Sequence, residues 1–254
     1  MESNYLTSYL DVAQVTLYAF WAFFFGLIFW LRKEDRREGY PLETDPGGRF
    51  RTNHYLLMPK PKIFRLRDGS TRQAPDGQRD TRPIAARRVA KWPGAPMTPT
   101  GNPLVDGVGP AAWAERADRP DITWDGRPRI VPSRVEPHYS VASGDPDPRG
   151  LPVIAADGRL AGTVTDIWVD RAEHVVRYLE VNSGLGVGAL LVPMTLAKVG
   201  RDDVKVKSVL AAHFAQAPRT KSADSVTLLE EDKASAYFTG GHLYATAGRT
   251  EAQL

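Results

Sequence analysis

By its apolar and polar positions, the chain divides into three stretches: one unbroken apolar run, a long segment without a period, and a series of short alternating runs. Val12 to Leu31 reads VAQVTLYAFWAFFFGLIFWL, twenty residues with no charge among them. At ~1.5 Å per residue this predicts a helix of ~30 Å, the thickness of a bilayer's hydrocarbon core. Gln14 and Thr16 fall near its first turn, where interfacial water or a neighbouring helix can satisfy them. Tyr9 and Tyr18 toward one end, with Phe29 and Trp30 at the other, suit the two membrane–water boundaries. A cleaved signal peptide fits poorly: no Lys or Arg occurs before Arg32, while Glu2 and Asp11 precede the run. A buried core helix fits poorly too, because the run is apolar on every face.

Orientation follows from charge. Arg32, Lys33, Arg36 and Arg37 come directly after the span, and basic residues stay on the cytoplasmic side. The N-terminus is therefore expected outside and residues 32–254 inside. The same four charges are placed to meet anionic lipid head groups or simply to set topology.

Eighteen of the twenty prolines lie between Pro41 and Pro152. Proline fixes φ, removes a hydrogen-bond donor and biases the residue before it away from helix, so little regular structure is expected there. The segment nonetheless carries Trp92, Trp113, Trp124, Phe50, Phe64 and Tyr55, unlike a solvated linker. An extended surface strap that orders against a partner accounts for those aromatics better than a floppy tether.

From Leu151 the pattern becomes that of short strands. Pro152–Ala155, Leu160–Val169, Val175–Val181, Ala189–Val192, Ala197–Val199 and Val204–Lys207 are separated by turn signals such as Asp157-Gly158 and Ser183-Gly184. Strands of this length and spacing predict a small antiparallel barrel or strongly bent sheet. Val209–Ala215 reads as a short helix ended by Pro218. A second helix begins near Ser225, with Glu230, Glu231 and Asp232 in its early turns, and Gly240-Gly241 is expected to stop it.

Composition narrows the chemistry. With 33 basic and 30 acidic residues the formal net charge is only +3, which does not support a nucleic-acid binder. The absence of cysteine excludes disulfides and thiolate chemistry, and the five histidines include no pair at metal-ligand spacing. Gly184-x-Gly186-x-Gly188 lacks the remainder of a phosphate-binding fingerprint and reads as a turn. The remaining candidates are Asp166, Asp170, Glu173 and Glu180, with Arg177 and His174 nearby. Such carboxylates either relay protons, where burial brings a pKa toward neutrality, or form the solvated rim of a β-domain.

Several segments, in order along the chain, resemble the H-subunit family of the purple-bacterial photosynthetic reaction centre. They are Arg37-Glu38-Gly39-Tyr40-Pro41-Leu42-Glu43, Pro59-Lys60-Pro61-Lys62, Arg82-Pro83-Ile84-Ala85, Asp106-Gly107-Val108-Gly109-Pro110-Ala111 and Gly150-Leu151-Pro152-Val153. Asp166-Ile167-Trp168-Val169-Asp170, Val226-Thr227-Leu228-Leu229-Glu230-Glu231-Asp232-Lys233 and Gly240-Gly241 complete the resemblance.

The resemblance implies a single transmembrane α-helix plus a cytoplasmic β-rich domain, a small PRC-type β-barrel, with an extended proline-rich segment and a short C-terminal helix. The corresponding divisions are 1–11 periplasmic, 12–31 membrane helix, 32–149 extended surface segment, 150–218 barrel, and 219–254 C-terminal helix and tail. It further implies a non-enzymatic subunit in the bacterial inner (intracytoplasmic) membrane. Such a subunit caps the L and M subunits, stabilises them, shields the quinone sites and conducts protons to the secondary quinone. Bacteriochlorophyll, bacteriopheophytin, quinones and non-haem iron belong to L and M, and none is bound by this chain. Membrane lipids and light-harvesting 1 antenna polypeptides are the further partners implied.

On this resemblance Glu173 matches a carboxylate near the inner end of the proton route. Asp170 and Arg177 match its charged neighbours, and Asp125 an acidic residue near the outer end. One departure stands out. Some members carry a surface histidine pair just after that aspartate, whereas this chain reads Asp125-Gly126-Arg127-Pro128-Arg129. Arginine does not release a proton at physiological pH, so the outer groups are expected among Asp125, Asp121 and His138. The competing reading is a membrane-tethered barrel that recruits a soluble cytoplasmic partner.

Overall fold

The computed structural model describes residues 11–250 apart from 41, 45–47, 50–57, 79 and 93; Glu2, Tyr9, Pro41, Phe50, His54 and Tyr55 lie outside the described residues. The chain separates into two compact units, Met1–Thr81 with Ala90–Ala95, and Arg82–Val89 with Pro96–Leu254.

In the first unit, helix α1 spans Val12–Glu34 and none of its residues is buried. With the 3₁₀ turn Asp35–Arg37 it forms a 26-residue segment long and apolar enough to cross a membrane. Gln14 and Thr16, the polar residues of its first turns, each make a local hydrogen bond. Gln14 closes a capping box with Asp11, whose Oδ1 accepts from the Gln14 N–H at 2.7 Å. Thr16 Oγ1 donates to the Val12 carbonyl at 2.8 Å. After the helix come β1 (Glu43–Thr44) and β2 (Gly48–Arg49), then a ribbon of β3 (Lys62–Arg65) and β4 (Thr71–Ala74). Arg37 donates to both oxygens of Glu34, at 2.8 and 2.9 Å. It also reaches the carbonyls of Lys60 and Ala74, each at 2.9 Å. Of the four basic residues after the span, Arg37 is thus the one that ties the helix end to the ribbon.

The second unit is built on a curled seven-stranded sheet. Its strands are β7 (Ile130–Pro132), β8 (Pro152–Ala155), β9 (Leu160–Asp170), β10 (Val175–Asn182), β11 (Leu190–Pro193), β12 (Ala197–Val199) and β13 (Val204–Val206). The order is β11-β10-β9-β8-β13-β12, with β7 also paired to β9. All pairings are antiparallel except β13 with β8. Because β10 covers one edge of the eleven-residue β9, β8 and β7 share the other edge, at its first and last thirds. Successive side chains point to opposite faces. Ile167, Val169, Leu179, Leu190 and Val192 therefore enter the main core, while Trp168, Tyr178, Leu191 and Ile130 form a second cluster with Val226.

The expected strap over 32–149 divides. β5 (Ala86–Arg88) pairs with β6 (Met97–Pro99), and a one-turn helix α2 (Pro103–Asp106) precedes β7. Leu104, Val108, Ala111, Ile130 and Val131 are buried, so from Pro96 onward this segment supplies core to the sheet's own unit. Trp113 is likewise engaged internally, with the Arg82 guanidinium 3.9 Å and the Lys233 ammonium 4.3 Å from its ring centre.

Val209–Ala215 is realised as a 3₁₀ helix over Ala211–Ala215. The C-terminal helix α3 runs Leu228–Tyr244, beginning after Thr227 rather than near Ser225. Thr227 Oγ1 accepts from the Glu230 N–H at 3.1 Å, and Glu230 Oε2 accepts from the Thr227 N–H at 2.9 Å. Gly240-Gly241 does not end the helix, contrary to expectation. The pair sits inside it because backbone approaches there: a Cβ on Gly240 would lie 2.5 Å from Ala111 Cβ, and one on Gly241 2.5 Å from the Ser208 carbonyl oxygen. Both glycines are packing residues. Gly241→Ala should lower stability by about 1–3 kcal/mol through overpacking, whereas Gly248→Ala, with open space around it, should change little. Thermal unfolding of the full chain in detergent measures both, and equal effects would refute the close-approach explanation.

Candidate functional site

The end of β9 places a carboxylate where water does not reach. The Asp170 side chain has 0% exposure, and an isolated charge there would be costly. Two sets of partners offset that cost. Asp170 Oδ1 accepts from the N–H groups of Ala172 and Glu173, at 2.9 and 3.1 Å, shaping the turn into β10. Arg129, arriving just before β7, donates from Nε to both Asp170 oxygens at 3.0 Å and from Nη2 to Glu173 Oε1 at 2.5 Å. Burial pushes the Asp170 carboxyl up, but the Arg129 guanidinium and the two backbone donors outweigh it and hold the pKa below the ordinary value. The Arg129 guanidinium is correspondingly held even more firmly in its charged form.

Arg177 joins the group through an irregularity in the strand. Opposite β9, Val176 pairs with Val169 and Tyr178 with Trp168, so Arg177 has no partner in the register. Such a bulge re-aims a side chain. Here the Arg177 guanidinium lies 3.6 Å from Asp170 Oδ2 and 3.9 Å from Glu173 Oε2. The bulge also interrupts the alternation of β10: Val176 packs with Leu179 and Val181 rather than with Tyr178. Glu173 itself is half-exposed at the turn, between solvent and the buried Asp170.

The remaining sequence candidates lie in other groups. Asp125 accepts from the Thr123 hydroxyl and, at 2.5 Å, from Arg127 Nε. Those bonds, Thr123 first and Arg127 second, pull its pKa down to about 2. Asp121 sits 3.4 Å from Arg129 and so belongs to the Asp170 group. Asp166 and Glu180 instead converge on Arg134, at 3.1 and 2.8 Å. Glu180 also accepts from the Trp168 indole at 2.8 Å, and Asp166 from the Ser133 hydroxyl, an ion-paired group that pins the second face of the sheet. Arg36 lies 5.2 Å over the Tyr40 ring and Arg32 3.4 Å from Asp35, while Lys33 is half-buried on α1.

Beside the Asp170 group opens a cleft of about 290 Å³, whose lining includes Arg116, Asp121, Arg129, Arg177, Tyr178 and Glu231. Glu231 reads in the sequence as a helix-start acid, yet it is half-buried and accepts from the Tyr178 hydroxyl at 2.9 Å. Burial raises its pKa, against the lowering effects of Tyr178 and Arg177. Two residues of the site, Arg129 and Glu231, were thus hidden in the sequence. A lone arginine and a helix-start acid carry no local signal of what they meet. Among the described residues no group of three His, Cys, Asp or Glu is placed to hold a metal ion.

A raised folded-state pKa means that Glu231 favours folding most below the ordinary Glu value and loses that contribution as pH rises through its folded pKa. Glu231→Gln removes this dependence. The variant's stability relative to the wild type should therefore increase between about pH 4 and pH 7. Thermal midpoints across that range provide the test, and a constant offset would contradict the buried-acid assignment.

Residues 4–135 match the family model described as photosynthetic reaction centre, H-chain N-terminal region, and residues 141–212 match that of the PRC-barrel domain. The first match covers just over half of the chain. Arg129 and Asp121 fall within it, Asp170, Glu173 and Arg177 within the second, and α3 with Glu231 beyond both.

Proposed function

The chain belongs to the photosynthetic reaction-centre H-chain family, and we propose that its Asp170–Glu173 group conducts protons toward the secondary quinone held by the partner subunits. Membership implies a membrane-anchored structural subunit that associates with the L and M subunits. In our reading the second unit lies on the cytoplasmic face of L and M, stabilises them and shelters the quinone sites from bulk water. The basic residues Arg32, Lys33, Arg36 and Arg37 orient α1 with its N-terminus in the periplasm. The bacteriochlorophyll, bacteriopheophytin, quinones and non-haem iron reside in L and M, in the bacterial inner membrane, where lipids and light-harvesting 1 polypeptides complete the surroundings.

The observation that carries the proton role is the position of Glu173. It is half-exposed, yet it shares Arg129 and Arg177 with a fully buried carboxylate. Reduction of a quinone to the quinol consumes two electrons and two protons, and the protons must cross the cap while the site stays sheltered. Glu173 can take a proton from the solvent side, and neutralising it releases the guanidinium of Arg129 to the remaining carboxylate. Asp170 stays ionised and fixes the geometry, since its pKa is held low. Glu231 in the adjoining cleft offers a carboxyl more ready to hold a proton.

Glu173→Gln keeps the shape but cannot bind a proton. It should slow the second proton-coupled electron transfer to quinone by about tenfold or more, leaving primary charge separation unchanged. Flash spectroscopy on the purified complex reads both rates. Unchanged quinol formation at every pH would remove Glu173 from the route.

A further inference from the structure

His174 closes the turn between β9 and β10 with φ +56°, the sole positive φ outside glycine among the described residues. Glycine, asparagine or aspartate takes that backbone conformation more readily. Histidine is also enriched in that conformation, and the turn places this imidazole directly after Glu173. Its N–H donates to the Asp170 carbonyl at 2.8 Å, which fixes the turn. The residue is exposed, and its Nδ1 lies 3.0 Å from the Tyr139 hydroxyl, which in turn lies 3.4 Å from the Arg171 carbonyl oxygen.

This arrangement serves both protonation states of the ring. When Nδ1 is bare, the Tyr139 hydroxyl donates to it. When the ring is an imidazolium, Nδ1–H donates to the Tyr139 oxygen, and the hydroxyl turns its own proton to the Arg171 carbonyl. Neither state strands a donor.

The surrounding charges come from three elements. The turn itself supplies Asp170, Arg171 and Glu173, and β10 supplies Arg177. The 3₁₀ turn after β7 leads to Glu136, which pairs with Arg171 and lies 3.6 Å from Arg127. Of the outer groups, Asp125 and the arginines of its loop are unsuited to taking protons from water. Asp125 is held at about 2 by Thr123 and Arg127, and the arginines of the same loop do not release protons. Imidazole is the side chain that ordinarily titrates between about pH 5 and 8.

We propose that His174 is the group through which solvent protons reach the Glu173–Asp170 group, an inference that rests on the proton-conducting reading above. The imidazolium passes one proton through water to the Glu173 carboxylate, returns to neutral imidazole, and takes the next proton from bulk water. No atom or electron is consumed in the step.

The test uses the complete complex with its L and M subunits, carrying His174→Asn, His174→Gly or Glu173→Gln. Asparagine and glycine both accept the left-handed backbone, so neither variant strains the turn. The quinol-forming proton-coupled electron transfer is followed from about pH 6 to about pH 9, with and without imidazole in the buffer. Both His174 variants should slow by roughly tenfold at the alkaline end. Added imidazole should restore them, and should not restore Glu173→Gln, whose acceptor is gone. If Glu173→Gln is slow while the His174 variants match the wild type throughout, His174 is not the proton-accepting group and the conducting reading survives. A loss in the His174 variants that imidazole does not relieve assigns the ring a structural role and overturns the inference. Wild-type rates in all three variants overturn it together with the reading beneath it.

Discussion

A carboxylate with no access to water must be neutralised by what surrounds it, and the second unit is arranged around that requirement at Asp170. Arg129 meets it from one side, and its position depends on β7 pairing with the last residues of β9, Ile130 opposite Asp170. The N–H groups of Ala172 and Glu173 meet it from the turn, and Arg177 from the bulge in β10. Each contact positions something else as well. Arg129 brings Glu173 and Asp121 together, and the bulge turns Arg177 to the same cleft that Glu231 lines. The buried charge is therefore the organising point of the site, while the two faces of the curled sheet supply the stability that holds it.

The group has a division of labour that follows from environment. Asp170 is buried but outnumbered by donors, so it stays charged and fixes geometry. Glu173 is half-exposed and shares Arg129 and Arg177 with it. Glu231 is half-buried with fewer compensating donors, so its proton is held more readily. Asp170 and Glu231, in one neighbourhood, are thus shifted in opposite directions, the first lowered and the second raised. Asp166 and Glu180 show the contrasting case, in which carboxylates converge on one arginine and an indole to lock a sheet face.

Much of this was legible in the chain. The apolar run gave the anchor because twenty uncharged residues admit few other fates, and alternation gave the strands from Pro152 to Val206 nearly residue for residue. Asp170, Glu173 and Arg177 could be singled out because one turn carries them and the resemblance marks them. Long-range approach was not legible. The Gly240-Gly241 pair looks like a stop unless Ala111 and Ser208 are known to press against it. The proline-rich segment looks like a strap until Leu104, Val108 and Ala111 are seen to join the core. Arg129 and Glu231, separated by about a hundred residues, acquire meaning only when β7 and α3 bring them to one cleft.

The central claim is that Asp170 remains ionised because Arg129 and the turn hold it so. The infrared difference between wild type and Asp170→Asn, followed as pH is lowered, isolates this one carboxyl group in the intact chain. A carboxylate signal should persist as the pH falls through about 3.9, the ordinary Asp value. A protonated carboxyl band from Asp170 at neutral pH would contradict it.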